Sequence, residues 1–459
     1  MQVLESRWFL FLSLGLLAVF FAFTQVEYRS DPRPTGSPAD IRSLSERSDT
    51  NLLFILVDTL RADHLGSYGY ERDTSPFLDY LALKGVRFDS HFAQTSWTKS
   101  SMASLWTGLY PARSGIHRST DGLPEEARLP TEIFQDAGFV TMGIYRNGWV
   151  APNFGFDQGF DIYQSPLVNQ MPDTLMPNVR AGRIAGTDID SIFSAVDFLR
   201  THHDQRFLMY IHMMDLHQYV SDQESAIFGN TYKDSYDNSI RWVDRQIQTL
   251  VGELERLGLR NKTLIVIASD HGEAFGEHGS EGHAKDIHAE VITTPWIMSF
   301  PFQLDDQVVY DTSANVDLWP TILDLFGLEG MPGIDGRSRV GELSGTNGSE
   351  NAASERFAFA HFDKNWSSVT KEPDPFVSVR DDRYRLIRDK EKARLYDLEE
   401  DSGEQRDISD REPKVRAKLE AELDRYLDQE IYFEAGVPSV TLGEMELRHL
   451  RALGYEINQ

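Results

Sequence analysis

The chain has 459 residues, which is long enough to bury a large core and to form two or three domains. Its formal net charge of -27 and its pI near 4.8 argue against nucleic acid as a partner. The absence of cysteine excludes disulfides, thiolate metal sites and a cysteine nucleophile.

The first distinctive segment is Trp8–Thr24, an uncharged, strongly apolar run. As a helix it would be ~26 Å long, just short of the ~30 Å hydrocarbon core of a bilayer. We interpret residues 1–26 as a signal peptide or a short signal anchor, and favour the uncleaved anchor because no small-x-small cleavage site follows. This predicts a transmembrane, membrane-anchored protein with an extracytoplasmic catalytic domain, which would be secreted if the segment were cleaved. Residues 27–50, rich in Pro, Ser, Arg and Asp, predict a linker.

From Asn51 onward, apolar runs typical of strands alternate with segments of helical spacing. The predicted strands are 52–57, 140–145, 207–212, 264–268 and 295–300, and the predicted helices are 75–83, 189–199 and 236–257. This alternation predicts an α/β fold over residues 51–340, with a mainly parallel sheet between helices.

Beyond Gly333 the pattern changes. Two short apolar runs, 377–379 and 384–387, predict an antiparallel hairpin, and a charged helix is expected at 412–430. These elements predict a smaller C-terminal α+β subdomain over residues 341–459.

Polar side chains follow two of the predicted strands directly. Asp58 comes after the first strand, and Asp270 and His271 come after the strand that ends at Ala268. Either set could simply cap a strand end, but parallel strands place their carboxyl ends at one edge of a sheet. Two carboxylates and an imidazole meeting there would suit one divalent ion, and these ligand types do not choose between Mn²⁺, Mg²⁺, Ca²⁺ and Zn²⁺.

A hydroxyl-rich segment, Ser96–Gly108, predicts a short helix that starts near Lys99 with Thr98 at its N-cap. Thr98 could serve only as a cap, which is a common role for threonine. A hydroxyl at a helix N-terminus also faces free N–H groups that favour an anionic oxygen or a bound phosphate or sulfate. Contact with a metal ion would make that oxygen a nucleophile.

Several segments, in order along the chain, resemble the sulfatase-like family of the alkaline phosphatase superfamily. They are Asn51–Tyr70, Ala103–Pro111, Ser269–Gly279, Asp317–Thr321, Leu395–Leu398 and Leu450–Tyr455. The resemblance implies an alkaline-phosphatase-like fold and chemistry on an anionic ester, and it covers most of the chain after Asn51.

The nucleophile segment departs from the sulfatase pattern. Sulfatases carry Cys or Ser in a C/S-x-P-x-R motif, which is converted to formylglycine; here Thr98, Ser100 and Met102 stand at the nucleophile, proline and arginine positions. Formylglycine cannot be made from threonine. The segment instead resembles the threonine-nucleophile subgroup, such as phosphoglycerol and phosphoethanolamine transferases. This resemblance implies one metal ion held by the set Asp58, Thr98, Asp270 and His271.

The resemblance also suggests substrate contacts. His217 and Lys285 match substrate-contacting residues of the family, and His283 could protonate a leaving group. The family's Lys-x-His appears here as Arg146-Asn147-Gly148, so that its histidine is missing. Arg146 could clamp an anion with its planar guanidinium, with Asn147 beside it.

The leading hypothesis is a metal-dependent hydrolase or transferase of phosphate or sulfate esters with Thr98 as nucleophile. One alternative is a catalytically impaired binding protein on the same fold, motivated by Ser100, Met102 and Gly148. The other is a conventional sulfuric ester hydrolase. The expected partners are an anionic phospho- or sulfo-ester, such as an envelope lipid or glycan, and a membrane at the N-terminal segment.

Overall fold

The apolar runs that follow Asn51 form the central strands of a large sheet. A computed structural model describes residues 31–167, 175–177, 184–345, 356–368 and 370–452. Its strands are β1 Asn51–Val57, β2 Val86–Phe88, β3 His91–Phe92, β4 Val140–Ile144, β5 Ile162–Gln164, β6 Leu175–Pro177, β7 Phe207–Met213, β8 Val220–Asp222, β9 Thr263–Ala268, β10 Ala274–Phe275, β11 Glu281–Gly282, β12 Trp296–Ser299, β13 Gln307–Val309, β14 Ser313–Ala314, β15 Ala358–Asp363, β16 Pro375–Arg380, β17 Tyr384–Asp389 and β18 Lys392–Asp397.

Helices separate most of these strands along the chain. They are α1 Pro38–Arg42, α2 Pro76–Leu83, α3 Thr98–Thr107, α4 Pro111–Ser114, α5 Pro130–Asp136, α6 Asp188–His202, α7 Tyr232–Arg256, α8 Ala289–Ile292, α9 Leu318–Leu325, α10 Val340–Leu343, α11 Pro413–Leu427 and α12 Glu444–Ala452. The predicted helices at 75–83, 189–199 and 236–257 are confirmed as α2, α6 and α7, with bounds that differ by a few residues.

The large sheet has eight strands in the order β13-β2-β12-β9-β1-β7-β4-β5. β1 pairs in parallel with both β7 and β9, and β12 runs antiparallel to its two neighbours. Alternate residues of β1 enter two separate hydrophobic clusters: Phe54 packs with Trp106 and Trp319, whereas Ile55 packs with residues of α7 such as Ile240. The sheet is therefore covered on both faces, as the uninterrupted apolar strands predict. The predicted α/β fold class is confirmed.

The C-terminal part contains a separate antiparallel sheet in the order β15-β16-β17-β18. Helix α11 packs on it through Leu419, Leu423 and Tyr426, which share a buried cluster with Val379 and Leu386. The predicted hairpin corresponds to β16 and β17, and the predicted charged helix corresponds to α11. The boundary proposed near residue 340 stays a prediction.

The segment before β1 is partly structured. Residues placed in the predicted linker form α1 and a 3-10 turn at Ser43–Glu46, and Ile41 and Leu44 are buried in the core. Both side chains lie in the compact unit that the chain forms from Pro34 onward.

The membrane prediction requires a correction. The apolar run at residues 8–24 lies outside the described residues, and among the residues that the structure describes no helix is long and apolar enough to span a bilayer. This finding overturns the transmembrane assignment and, with it, the membrane-anchored localisation. The weak point of the prediction was physical, because a run of this length falls short of the ~30 Å hydrocarbon core.

Candidate active site

The register of the central strands brings the two acidic strand ends together. Val57 of β1 lies opposite Met213 of β7, and Leu56 lies opposite Ala268 of β9. Asp58 and Asp270 therefore leave neighbouring strands at the same edge of the sheet. Together with His271 they form the one group of potential metal ligands found among the described residues, with ligand atoms within 4.8 Å of one another.

Asp58 is completely buried, and one of its oxygens is held by two donors. Its Oδ2 accepts hydrogen bonds from Asn147 Nδ2 at 2.7 Å and from His212 Nε2 at 3.0 Å. Its Oδ1 accepts none from the described residues. Burial opposes ionisation of this carboxyl, but the His212 hydrogen bond and the nearby imidazoles lower its pKa overall.

Asp270 is held in the same one-sided way. Its Oδ1 accepts from the main-chain N–H groups of Thr59 at 3.3 Å and His271 at 3.0 Å, whereas Oδ2 has no donor within the described part of the chain. Burial, and then the charge of Asp58, raise the pKa of Asp270 to about 7. A cation between two buried carboxylates with one orphaned oxygen each would stabilise both of them.

The imidazole of His271 faces these oxygens with an open lone pair. Its Nδ1 lies 2.9 Å from the carbonyl oxygen of Gly272, which can only accept, so Nδ1 carries the proton. Nε2 is then unprotonated and lies 3.4 Å from Asp270 Oδ2 and 4.0 Å from Asp58 Oδ1. A second-sphere carbonyl that fixes the tautomer in this way is typical of metal-bound histidine.

Thr98 stands at the start of α3 and completes the set. The helix begins one residue earlier than predicted, so that Thr98 is its first residue and Trp97 is the N-cap. Its Oγ1 lies 3.2 Å from His271 Nε2 and 3.4 Å from Asn147 Nδ2. Met102, on the same helix, is buried in the hydrophobic core.

These four residues, Asp58, Thr98, Asp270 and His271, are called the strand-end cluster below. Ligand atoms around one ion at ~2.1 Å in tetrahedral geometry lie about 3.4 Å from one another. The distances from His271 Nε2 to the hydroxyl and to the two orphaned oxygens run from 3.2 to 4.0 Å. The donor set and its orphaned atoms therefore fit one divalent ion.

The main chain around the strand-end cluster is specialised. Thr59, directly after Asp58, has φ 65°, an unusual conformation for a β-branched residue, and this turn directs its N–H to Asp270. Gly272 follows His271, and a Cβ at that position would lie 2.2 Å from the carbonyl oxygen of Glu290. Only glycine fits there without moving the segment that carries His271.

His217 and His283 line the neighbouring wall. The His283 ring lies 4.5 Å from that of His271 and 4.9 Å from that of His217, and its Nδ1 lies 3.1 Å from Glu273 Oε2. Burial lowers the pKa of His283 to about 4 and also lowers the pKa of His217. Both predicted histidines thus lie beside the cluster as uncharged imidazoles at neutral pH.

Asn147 and Arg146 are adjacent in sequence but have different surroundings. The Asn147 amide reaches both Asp58 and Thr98, so this residue belongs to the site. The buried guanidinium of Arg146 is directed instead to Asp188 at 2.8 Å and Asp215 at 2.7 Å. An anion would have to compete with these two carboxylates for Arg146.

Lys285, the other predicted anion contact, is exposed. Its Nζ donates to the carbonyl oxygen of Glu281 at 2.5 Å, within its own segment. The structure does not bring its ammonium into the strand-end cluster, so its contact with substrate stays a prediction.

Two residues of the site were missed by sequence reasoning. His212 donates a hydrogen bond to Asp58. The sequence feature that could have indicated this is a polar side chain near the end of the otherwise apolar strand β7. Lys99 is completely buried beside Thr98, where burial lowers its pKa well below the usual range. The sequence feature that could have indicated Lys99 is that it is the single charged residue of α3.

Comparison with known proteins decides the family. The family profile described as Sulfatase matches residues 50–328, which is more than half of the chain. The chain belongs to the sulfatase family. A second profile, N-sulphoglucosamine sulphohydrolase, C-terminal, matches residues 276–431. The predicted family is therefore confirmed, while the threonine-nucleophile subgroup stays a prediction.

Individual relatives of this sulfatase-family chain are distant. Arylsulfatase A of Bos taurus is 24% identical over an alignment of 339 positions, which covers 63% of this chain and 66% of the relative. Matches to the first curated relatives cover between 62% and 66% of their length.

Solved structures show the same fold. A 2-O GAG sulfatase superposes with a TM-score of 0.70 at 19% identity, covering 83% of this chain and 92% of that chain. The phosphonate monoester hydrolase of Agrobacterium radiobacter superposes with a TM-score of 0.68 at 19% identity, covering 86% and 100%. At this identity the likeness establishes the fold alone.

Proposed function

We propose that this sulfatase-family protein hydrolyses sulfate or phosphate esters with one divalent metal ion, and that Thr98 supplies the nucleophilic oxygen. The observation that carries the proposal is the position of Thr98 Oγ1. It lies at a helix N-terminus, 3.2 Å from the open Nε2 of His271, beside two carboxylates that each keep one oxygen without a donor among the described residues.

Asp58, Asp270, His271 and Thr98 would hold the ion. When bound, a divalent cation withdraws charge from the oxygens around it, which favours both an ionised nucleophile and a polarised ester. The oxygen-rich set with one nitrogen accepts Mn²⁺, Mg²⁺, Ca²⁺ or Zn²⁺ and does not choose between them.

The remaining chemistry falls to the protein's own groups. The Asn147 amide donates to Thr98 Oγ1 and to Asp58, which fixes the nucleophile. Thr98 Oγ1 forms a bond to sulfur or phosphorus as the bond to the leaving oxygen breaks in line. The proton that Thr98 loses is passed to the departing oxygen, and His283, whose ring lies 4.5 Å from that of His271, is the group proposed to donate it there. Water then cleaves the Thr98 ester and restores the hydroxyl.

The proposed substrate class rests on the structural neighbours, and the proposed reaction rests on the residues of the site. The structural neighbours include a 2-O GAG sulfatase and a phosphonate monoester hydrolase, so this fold accommodates tetrahedral anionic centres at sulfur or phosphorus. Thr98 excludes a formylglycine route at this position. The complete carboxylate and imidazole set favours catalysis over the binding-protein alternative.

Turnover of 4-nitrophenyl sulfate, 4-nitrophenyl phosphate and bis(4-nitrophenyl) phosphate with each of the four ions tests the proposal. Wild type should hydrolyse at least one of them, and Thr98→Ala should lose at least about 10³-fold in kcat because no nucleophile remains. Thr98→Ser should retain activity within about tenfold. Thr107→Ala, at the other end of α3, is the matched control. Full activity in Thr98→Ala would refute the nucleophile, and a wild type inactive on every ester would favour the binding protein.

A further inference from the structure

Lys99 is a buried cation that the proposed reaction does not use. Its ammonium has no solvent exposure and donates to the carbonyl oxygens of Ser119 at 2.6 Å and Asp121 at 2.7 Å. The Asp121 carboxylate is turned toward the main-chain N–H groups of His117 and Arg118. The hydrogen bonds of Lys99 therefore go to neutral carbonyls.

Aromatic rings form the rest of its surroundings. The ammonium nitrogen lies 4.0 Å from the ring centre of Phe154, 5.0 Å from Trp149 and 5.6 Å from Trp97. Trp97 directly precedes Thr98, whereas Trp149 and Phe154 follow Asn147. One side chain thus connects three segments: the start of α3, residues 119–121, and residues 147–154.

Two of these segments carry groups of the site. Thr98 opens α3, and Asn147 Nδ2 reaches Thr98 Oγ1 at 3.4 Å and Asp58 Oδ2 at 2.7 Å. The relative placement of α3 and of the 147–154 segment therefore decides the distance between the Thr98 hydroxyl and its neighbours. Lys99 crosses between the two, beside the direct contact of the Trp97 and Trp149 rings at 5.3 Å.

We infer that Lys99 is a positioning residue for Thr98, which it holds at the strand-end cluster by clamping the start of α3 against residues 119–121 and 147–154. This inference rests on the proposed function. It does not require a particular protonation state, because ammonium and amine both donate hydrogen bonds. A displacement of about 1 Å at a reacting group lowers turnover by about 10²-fold.

A purely structural role makes a different prediction. Lys99→Met keeps the length of the side chain and removes the desolvated amine, while it leaves two carbonyls without their donor. These effects on stability oppose each other, so the melting temperature should change little. If Lys99 served only the stability of the fold, Lys99→Met would instead lower the melting temperature.

The test combines kinetics with Mn²⁺ titration calorimetry on wild type, Lys99→Met, Thr98→Ala and the double variant. Lys99→Met should lose about 10²-fold in kcat with KM within about threefold. It should also weaken Mn²⁺ binding by about tenfold, as expected when a supporting residue is lost. In the Thr98→Ala background, Lys99→Met should weaken Mn²⁺ binding no further, because Lys99 is proposed to act on the metal site through Thr98. Lys262→Met removes one exposed positive charge as a control.

The outcomes separate the two proposals. Equal losses of Mn²⁺ affinity in both backgrounds, or kcat of Lys99→Met within twofold of wild type, would overturn the role of Lys99. Full turnover by Thr98→Ala would overturn the nucleophile, and a wild type that binds none of Mn²⁺, Mg²⁺, Ca²⁺ and Zn²⁺ would overturn both. Because the chain contains no cysteine, Lys99→Cys can be alkylated with 2-bromoethylamine in denaturant and refolded. Recovery of kcat by that lysine analogue would support the clamp.

Discussion

The strand-end cluster and the segment 281–285, which carries His283 beside it, are held in contrasting ways. All four residues of the cluster are completely buried, and the unused oxygen of each carboxylate lies within 4.0 Å of His271 Nε2. In segment 281–285, Lys285 is exposed and bonded within its own segment, and Ala284 has φ 56°. In the proposed function, the strand-end cluster would be the preorganised side that faces the metal, and segment 281–285 would exchange its hydrogen bonds for those of a ligand.

The largest effect should come from breaking the cluster itself with Asp270→Asn. Loss of one charged ligand should abolish tight Mn²⁺ binding and lower kcat by at least about 10³-fold, since several kcal/mol of charge stabilisation is lost at about 1.4 kcal/mol per factor of ten. Without metal, the same variant should melt at a higher temperature, because Asp58 and Asp270 no longer repel each other. Calorimetry, turnover and thermal melts measure the three quantities.

Asp244→Asn is the matched control for that prediction. Asp244 is also a buried carboxyl, whose pKa burial raises to about 7, but it accepts from the main chain of Phe77 and Leu78 at the start of α2. It should keep Mn²⁺ affinity and kcat. Equal losses in the two variants would mean that the cluster is no more specialised than any other buried carboxylate.

A smaller effect should follow from His212→Phe, which removes a hydrogen-bond donor to Asp58 and leaves the four residues of the strand-end cluster unchanged. The Asp58 carboxylate would lose one of its two donors, and we expect Mn²⁺ affinity to fall by about 10- to 100-fold. Tyr210→Phe removes only the hydroxyl 2.9 Å from His212 Nδ1, so its effect should be smaller. Unchanged affinity in His212→Phe would show that the cluster does not depend on this outer contact.

The cluster and its support also differ in how well the sequence predicts them. Parallel strands that are buried on both faces are uninterrupted apolar runs, so β1 and β9 are predictable to within a residue, and the ends of adjacent strands meet by topology. Asp58, Asp270 and His271 were found by that argument. His212 is separated from Asp58 by more than 150 residues, and only the register of β7 on β1 places it there.

Two features around the site depend on three-dimensional partners that the sequence does not show. Arg146 has the residue type expected of an anion contact, but Asp188 and Asp215, distant in the sequence, supply its counter-charges. From the sequence alone, Lys99 would be taken for a surface charge. The carbonyls and rings that surround it are brought together only by the fold. Long-range pairing of charged groups leaves no periodic pattern in a sequence, unlike the burial of a strand.

The smallest effect concerns the loop that precedes segment 281–285, where His278 connects the chain to the C-terminal part. Its Nδ1 lies 2.8 Å from Glu290 Oε1, its Nε2 lies 3.1 Å from the Glu404 carbonyl oxygen, and its ring stacks on that of His288 at 3.9 Å. Burial disfavours the charged ring, but Glu290 and the Glu404 carbonyl outweigh burial and raise the pKa of His278 to about 9.

Because this pKa is raised above the ordinary value of 6.5, the stabilisation is fully present below pH 6.5 and is lost as the pH rises through about 9. His278→Asn should therefore lower the melting temperature by roughly 2 °C at pH 6 and by much less at pH 10. His203→Asn, at an exposed histidine, controls for general effects of the substitution. A melting difference that is the same at both pH values would mean that the charge of His278 does not hold this contact.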